Sequence, residues 1–410
     1  MYLKKTFIIF IIIISIIEPL CFADDFLSEN ELDNYIEVSA SADNLSSEPD
    51  TNSKHIIALD RKSLCVLYEK DAYSETAMAS TTKIMSALII LEHCALNETI
   101  EFSKEAANVR GSTLEVTTGT KMTVNDALYG LMLRSGNDCA VALAEHLSGS
   151  TTEFAKLMNN KAQELNLKHT NFVTPHGLDD ESHYTTAYDL AILTDYALKN
   201  DTFKKIVNTK TATITVNDTQ RTISNTNELL GNLPGVYGVK TGFTFNAGRC
   251  LVSSCNRDGM DIIVVVLGAD TKNQRTKDSI KVINYVYNTF EYVNIEKYIN
   301  TNFEEYKKYY KNNVSLYKTI SSPEINLLKR DSYIFPLKKS NPETLSTKFY
   351  SLNTLSSSNE KNSKIGCLSV FYEDKILCSQ DIILENTLIK NNWYFYFGKI
   401  LKDFNFAFSY

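Results

Sequence analysis

Apolar residues change their spacing several times along this 410-residue chain. Ile56-Ile57-Ala58-Leu59 and Leu64-Cys65-Val66-Leu67 flank the polar stretch Asp60-Arg61-Lys62-Ser63, a pattern that predicts a β-hairpin. From Ser80 to about Gly149 the period becomes helical. Ile84, Leu88 and Leu91 share one face, and Ala127, Leu128, Leu131 and Met132 share another. Helices are expected over 124–133, 138–147, 152–165 and 187–198. Strand patterns return over 211–216, 236–241, 249–254 and 261–267, and Asn256-Arg257-Asp258-Gly259 supplies a hairpin turn between the last two. Strands at both ends of a helical insert predict an α+β fold with helices packed on an antiparallel sheet.

After about Phe290 the texture shifts to Tyr, Asn, Lys and Ser with short alternating apolar stretches. Strands are expected over 314–320, 333–337, 367–372 and 375–378, with a loop over 355–363, which predicts a small all-β domain. The tail from Trp393 to Tyr410 carries nine aromatic residues. Trp393, Phe397, Ile400, Leu401, Phe404 and Phe408 would share one helical face opposite Lys399, Lys402 and Asp403. Such a helix suits a membrane interface; a packed terminal element of the β domain is the other reading.

The first residues, Met1-Tyr-Leu-Lys-Lys5, are basic, and an apolar run from Phe7 to Ile17 follows. Cys21-Phe22-Ala23 before Asp24 then completes the layout of a secretory signal peptide over 1–23, with an uncleaved anchor as its rival. Residues 24–52 hold nine acidic side chains and no Lys or Arg, too polar to form a core, and read as a disordered spacer. The expected plan is therefore a folded domain over 53–290, a β-rich domain over 291–388 and an aromatic tail over 389–410. A formal charge of −7 and the absence of a basic run argue against a nucleic-acid partner. Seven cysteines follow the signal segment, an odd number without a Cys-x-x-Cys pair, so no zinc site or full disulfide framework is signalled. Most read as buried thiols, and a Cys367–Cys378 bridge stays open.

Chemistry concentrates in three short motifs: Ser80-Thr81-Thr82-Lys83, Ser135-Gly136-Asn137 and Lys240-Thr241-Gly242. Ser80 stands where a loop gives way to a helix, a place a serine can also occupy as a simple cap. One turn along, Lys83 shares its face. The positive helix end favours a serine alkoxide and a neutral lysine, which can accept the serine proton. Ser135, between two helices, can relay protons between Lys83 and a leaving amine, and the Asn137 amide can orient Lys83 and bind substrate. On the strand, Lys240 supplies positive potential, Thr241 a hydroxyl for a carboxylate, and Gly242 room for close approach. The N–H groups of Ser80 and Phe243 are the expected oxyanion donors for a peptide lying along the strand edge.

Together these motifs resemble the penicillin-recognising serine enzymes, and specifically the low-molecular-mass D-alanyl-D-alanine carboxypeptidases of peptidase family S11. The resemblance covers roughly residues 53–388. It includes Asn171-Phe-Val-Thr-Pro-His-Gly-Leu178, His183-Tyr-Thr-Thr-Ala-Tyr-Asp189, Lys240-Thr-Gly-Phe-Thr244, Ala247-Gly248, and Gly268-Ala-Asp-Thr271 leading to Arg275. It implies a β-lactamase-like domain followed by a small all-β domain. It also implies an exported enzyme at the outer face of the cytoplasmic membrane or in the cell wall, with a membrane-surface tail. Ser80 would attack the carbonyl between the two terminal D-alanines of peptidoglycan stems, without metal or organic cofactor. β-Lactams would acylate the same serine. Arg275 would help hold the substrate carboxylate; a solvated turn arginine is the alternative. Arg249 stands where many relatives carry an aromatic residue.

His176 and His183 invite a Ser-His-Asp reading, but no Gly-x-Ser-x-Gly elbow accompanies them, and both read as structural. Glu164-Leu165-Asn166 resembles part of the class A β-lactamase deacylation loop, which would need a glutamate at Ala162; it reads as helix surface. A β-lactamase or D,D-endopeptidase on the same scaffold, and a non-catalytic wall-binding protein, are the competing functions.

Overall fold

In a computed structural model of the chain, residues 48–341, 344–394, 397–398 and 400–401 are described. The expected signal peptide, residues 24–47 of the expected spacer and residues 402–410 of the tail lie outside them. The runs around residues 60–63 pair as β1 (His55–Asp60) and β2 (Val66–Lys70). The helical insert then holds α1 (Lys83–His93), β3 (Thr99–Glu101), α2 (Lys104–Asn108), β4 (Lys121–Thr123), α3 (Val124–Leu133), α4 (Asn137–Ser148), α5 (Thr151–Glu164), α6 (Ala187–Ala197) and α7 (Asp201–Val207). A separate hairpin, β5 (Thr211–Val216) with β6 (Thr219–Ser224), precedes β7 (Val236–Thr244), β8 (Gly248–Arg257), β9 (Met260–Ala269) and α8 (Lys272–Thr289). Hydroxyls of Thr123, Ser150, Thr186 and Thr271 accept the N–H three residues on and so cap α3, α5, α6 and α8.

The main sheet runs β2-β1-β9-β8-β7, antiparallel throughout, so β7 is an edge strand. Side chains alternate between two cores. Ile57, Leu59, Val252, Ile263 and Val265 face the insert with Ile84 and Leu88, whereas Ile56, Ala58, Leu251, Ile262 and Val264 face Val282, Ile283 and Val286 of α8. Helices on both faces explain why residues 262–267 of β9 form an unbroken apolar run.

The last residues of the expected spacer pack against the folded domain. Thr51 and Ser53 are buried, and the backbone N–H groups of Asn52 and Ser53 donate to Asp278 Oδ2 at 3.0 and 2.8 Å. Hydrogen bonds to α8 thus hold the end of the expected spacer, a stretch with little apolar content.

The C-terminal part is β-rich, but a helix leads into it. β10 (Phe290–Asn294) is followed by α9 (Glu296–Asn313), β11 (Ser315–Tyr317), β12 (Ile325–Leu327), β13 (Ile334–Lys338), β14 (Leu345–Ser351), β15 (Thr354–Ser356), β16 (Lys364–Tyr372) and β17 (Lys375–Leu384). Its largest sheet runs β12-β17-β16-β14. α9 buries only Ile299, Phe303 and Tyr310 among its eighteen residues, too sparse an apolar stripe to announce a helix. The open Cys367–Cys378 bridge does not form. Cys367 lies opposite Asp381 and Cys378 opposite Val370, and both cysteines are free.

Candidate active site

Ser80 lies on a single 3₁₀ turn, Ala79–Thr82, that runs into α1. The turn is held by its own side chains: Thr81 Oγ1 donates to Met78 O at 2.5 Å and Thr82 Oγ1 to Ala79 O at 2.8 Å. Ala79 adopts a left-handed backbone, φ 49°, one residue before the serine. Ser80 stays half-exposed while Lys83 is fully buried.

Lys83 Nζ has three oxygens within hydrogen-bond reach: Ser80 Oγ at 2.8 Å, Asn137 Oδ1 at 2.7 Å and the His176 carbonyl at 2.8 Å. Two of these can only accept. A neutral amine has two N–H bonds for those acceptors, which turns its lone pair toward the Ser80 hydroxyl; an ammonium ion donates to all three. Both protonation states are thus satisfied without moving a heavy atom. Asn137, the first residue of α4, is fixed in turn by its Nδ2, which donates to Arg110 O at 2.6 Å.

Ser135 connects α3 to α4 in a left-handed conformation, φ 60°. Its side chain is fully buried, and its Oγ has no hydrogen-bond partner among the described residues. An unsatisfied buried hydroxyl costs about 1–3 kcal/mol, a cost expected where a substrate or transferred proton later supplies the partner. The neighbouring Cys139 thiol is pushed well up by burial beside Asp138, so it is inert.

The edge strand β7 closes the other side. A Cβ on Gly242 would stand 3.0 Å from Ser80 N and 3.2 Å from Thr81 N, so glycine lets the strand lie against the backbone of the nucleophile. Thr241 Oγ1 is 2.7 Å from Thr226 Oγ1, and Lys240, also buried, donates to Thr241 O at 2.9 Å. Phe243, just beyond, packs its ring 3.8 Å from the Arg249 guanidinium carbon.

Arg275 departs from the turn-arginine alternative, being 1% exposed in α8. Its Nη2 donates to Glu228 Oε1 at 2.5 Å and its Nη1 to the Cys250 carbonyl at 3.4 Å, behind the residue that pairs with Gly242. Burial would raise the Glu228 carboxyl, but the Arg275 charge and a hydrogen bond from Thr276 outweigh it and hold it below the usual range. Arg275 therefore braces the strand pair as one half of a buried ion pair.

Residues 171–178 are legible in the sequence only as part of the family resemblance, and their structural role is not. This loop packs on the Ser80 turn. Ser86 Oγ donates to Pro175 O at 2.6 Å, and a Cβ on Gly177, φ +86°, would stand 2.0 Å from Ala79 O. His183 Nδ1 accepts from the N–H of Val173 at 2.9 Å, which leaves Nε2–H to donate to Thr82 Oγ1 at 2.8 Å. Burial, only partly opposed by Asp180 and reinforced by Lys83, lowers the His183 pKa to about 4. Burial, Lys83 and His183 lower that of His176 to about 3. Both imidazoles are neutral struts, as expected. Thr226 and Glu228 were likewise missed, because nothing local marks a residue whose partner lies on a distant element, β7 for Thr226 and α8 for Glu228.

A family model described as D-alanyl-D-alanine carboxypeptidase matches residues 42–271. The D-alanyl-D-alanine carboxypeptidase DacF of Bacillus subtilis (strain 168) is 39% identical over 245 residues, covering 58% of this chain and 63% of that protein. The D-alanyl-D-alanine carboxypeptidase of Streptomyces sp. (strain K15) is 35% identical over 237 residues, covering 53% and 81%. The match thus spans less than two thirds of the length of the Bacillus protein. Among solved structures, penicillin binding protein 5 from Haemophilus influenzae superposes with a TM-score of 0.68 at 25% identity, covering 84% of this chain and 99% of that one. The Streptomyces K15 DD-transpeptidase gives 0.56 at 32% identity, covering 58% and 98%.

Proposed function

This chain belongs to the D-alanyl-D-alanine carboxypeptidase family, peptidase family S11, and we propose on that footing that it removes the terminal D-alanine from peptidoglycan stem peptides. The observation that carries the reading is Lys83 Nζ, held by two obligate acceptors with its third direction on Ser80 Oγ. Ser80 loses its proton to the neutral Lys83 amine and attacks the carbonyl of the penultimate D-alanine. The resulting oxyanion faces the N–H groups of Ser80 and Phe243, donors fixed before the charge develops. Lys83, now an ammonium ion, returns its proton through the Ser135 hydroxyl to the nitrogen of the leaving D-alanine. Water then enters, Lys83 again takes a proton, and the ester on Ser80 is hydrolysed. A substrate strand beside the edge strand β7 would meet Thr241 with its terminal carboxylate. β-Lactams would enter the same site and acylate Ser80.

Mass spectrometry of a peptide ending Lys-D-Ala-D-Ala after incubation with the protein tests this. Loss of a single alanine is expected, and an unchanged peptide with correctly folded protein contradicts it.

The protein acts outside the cytoplasmic membrane in this reading, with its tail at the membrane surface. Supporting this, Trp393, Tyr394, Phe397, Ile400 and Leu401 are all exposed, and every described residue between 393 and 401 is helical. Five large apolar or aromatic side chains left in solvent need a low-polarity partner. No described helix is long and apolar enough to cross a membrane. Deletion of residues 391–410 is expected to release the protein from vesicles of anionic lipid, and equal co-sedimentation of both forms contradicts the tail's role.

A further inference from the structure

The helices that present Lys83 and Asn137 both run away from the active site and end near each other. α1 stops at His93 with Cys94 as its C-cap, and α4 carries His146 in its last turn. The turn before β3 brings Glu98 between them. Cys94 Sγ, a Glu98 carboxylate oxygen and a His146 ring nitrogen all lie within 4.8 Å of one another. We propose that these three side chains bind one thiophilic divalent cation, zinc in type, which ties the far ends of the two catalytic helices together.

The donor set is one thiol, one imidazole and one carboxylate, the ligands zinc takes, and three protein ligands leave a fourth position for water. Metal bonds of about 2.0–2.3 Å would place tetrahedral donors roughly 3.3–3.7 Å apart, so side-chain rotation alone can close the cluster. Much of the orientation already exists. Glu98 Oε1 accepts from the Ala95 N–H at 2.5 Å, which leaves Oε2 directed at His146 Nε2, 2.8 Å away. Its turn is pinned on both sides of the side chain: Val124 N–H donates to Glu98 O at 2.9 Å and Asn125 N–H to Leu96 O at 3.0 Å. A carboxylate held by a second contact is a better ligand than a free one.

Electrostatics point the same way. The C-terminal ends of α1 and α4 carry partial negative charge and the Glu98 carboxylate a full one, so the cluster attracts a cation. Glu98 and His146 are solvent-accessible and Cys94 is half-buried, which gives an ion a path in and the thiol proton a path to water. The plain alternative is a surface His146–Glu98 ion pair with an idle thiol beside it. That pair would be worth only about 0–1 kcal/mol and gives Cys94 no role.

The full chain, stripped of metal by a chelator, is titrated with Co²⁺ and then Zn²⁺. One equivalent of Co²⁺ is expected to produce a thiolate-to-metal charge-transfer band, and Zn²⁺ to displace it and raise the melting temperature. Cys94→Ser should abolish the band, and His146→Gln should weaken Zn²⁺ binding by about tenfold or more, 1.4 kcal/mol. Metal-free melting of each variant serves as the folding control. Absence of the band and of any Zn²⁺-dependent shift in the unsubstituted protein overturns the proposal, as does an identical band in Cys94→Ser.

Discussion

Replacing Gly177 with alanine would drive a methyl group into the turn that carries the nucleophile. The added Cβ would lie 2.0 Å from Ala79 O, 2.6 Å from Ala79 C and 2.6 Å from Thr82 Oγ1. The first two are backbone atoms, which cannot rotate aside, so the loop must lift or the Ser80 turn must move. A left-handed backbone costs an alanine about 1–2 kcal/mol. Overpacking typically adds about 1–3 kcal/mol, for a total near 2–5 kcal/mol of stability. The catalytic effect is separable. The preceding residue, His176, gives Lys83 its 2.8 Å carbonyl contact. Lifting the loop therefore misdirects the amine, and displacement of about 1 Å near reacting atoms costs on the order of 10²-fold in rate. Acylation of Gly177→Ala by a fluorescent penicillin, followed by stopped flow, should slow about 100-fold, and its urea midpoint should fall. A wild-type acylation rate with lowered stability would refute the claim that this loop aims Lys83. No change in either quantity would refute the packing itself.

Acid should destabilise the protein over a defined window. His183 and His176 are neutral when folded and titrate near 4 and 3, whereas an unfolded histidine titrates near 6.5. The unfolded chain therefore binds more protons below about pH 6.5, and stability present above that pH is lost as the pH falls toward 4. At about 1.4 kcal/mol per pH unit per group, the loss amounts to several kcal/mol. Urea midpoints from pH 7 to pH 4.5 should decline with a slope that His183→Gln reduces; an unchanged slope in that variant opposes the assignment. Glu228→Ala removes the carboxylate that pairs with the buried Arg275 guanidinium and should cost about 3–5 kcal/mol in denaturant unfolding. Glu228→Gln, which keeps an acceptor for Arg275 Nη2, should cost less, and a loss below about 1 kcal/mol in the alanine variant would mean that the pair contributes little.

What could be read from the residues alone was whatever is local or periodic. The helix over 124–133 and the strand over 211–216 appear within the residues expected, because each buries one regular face. Ser80 and Lys83 are one helical turn apart, so their contact follows from spacing. Asn137 was legible as a partner of Lys83 only through its motif. The His176 carbonyl was not legible at all, since a backbone oxygen has no signature in sequence and becomes a ligand for Lys83 only when residues 171–178 fold over the Ser80 turn. Arg275 shows the same limit in reverse. Its position was noticed, but its buried partner Glu228 stands 47 residues earlier on another segment. α9 escaped notice because its helix rests on three buried side chains and a surface of Lys, Glu, Asn and Tyr.

The proposed chemistry rests on a serine whose proton acceptor is a lysine. Its most direct test is intact-mass and peptide-map analysis after timed exposure to benzylpenicillin, for the unsubstituted protein and Lys83→Ala. A single adduct of the whole antibiotic on the peptide containing Ser80 is predicted, forming orders of magnitude more slowly in Lys83→Ala although that variant melts cooperatively. An adduct on any other residue, or equal acylation rates in the two proteins, would contradict it.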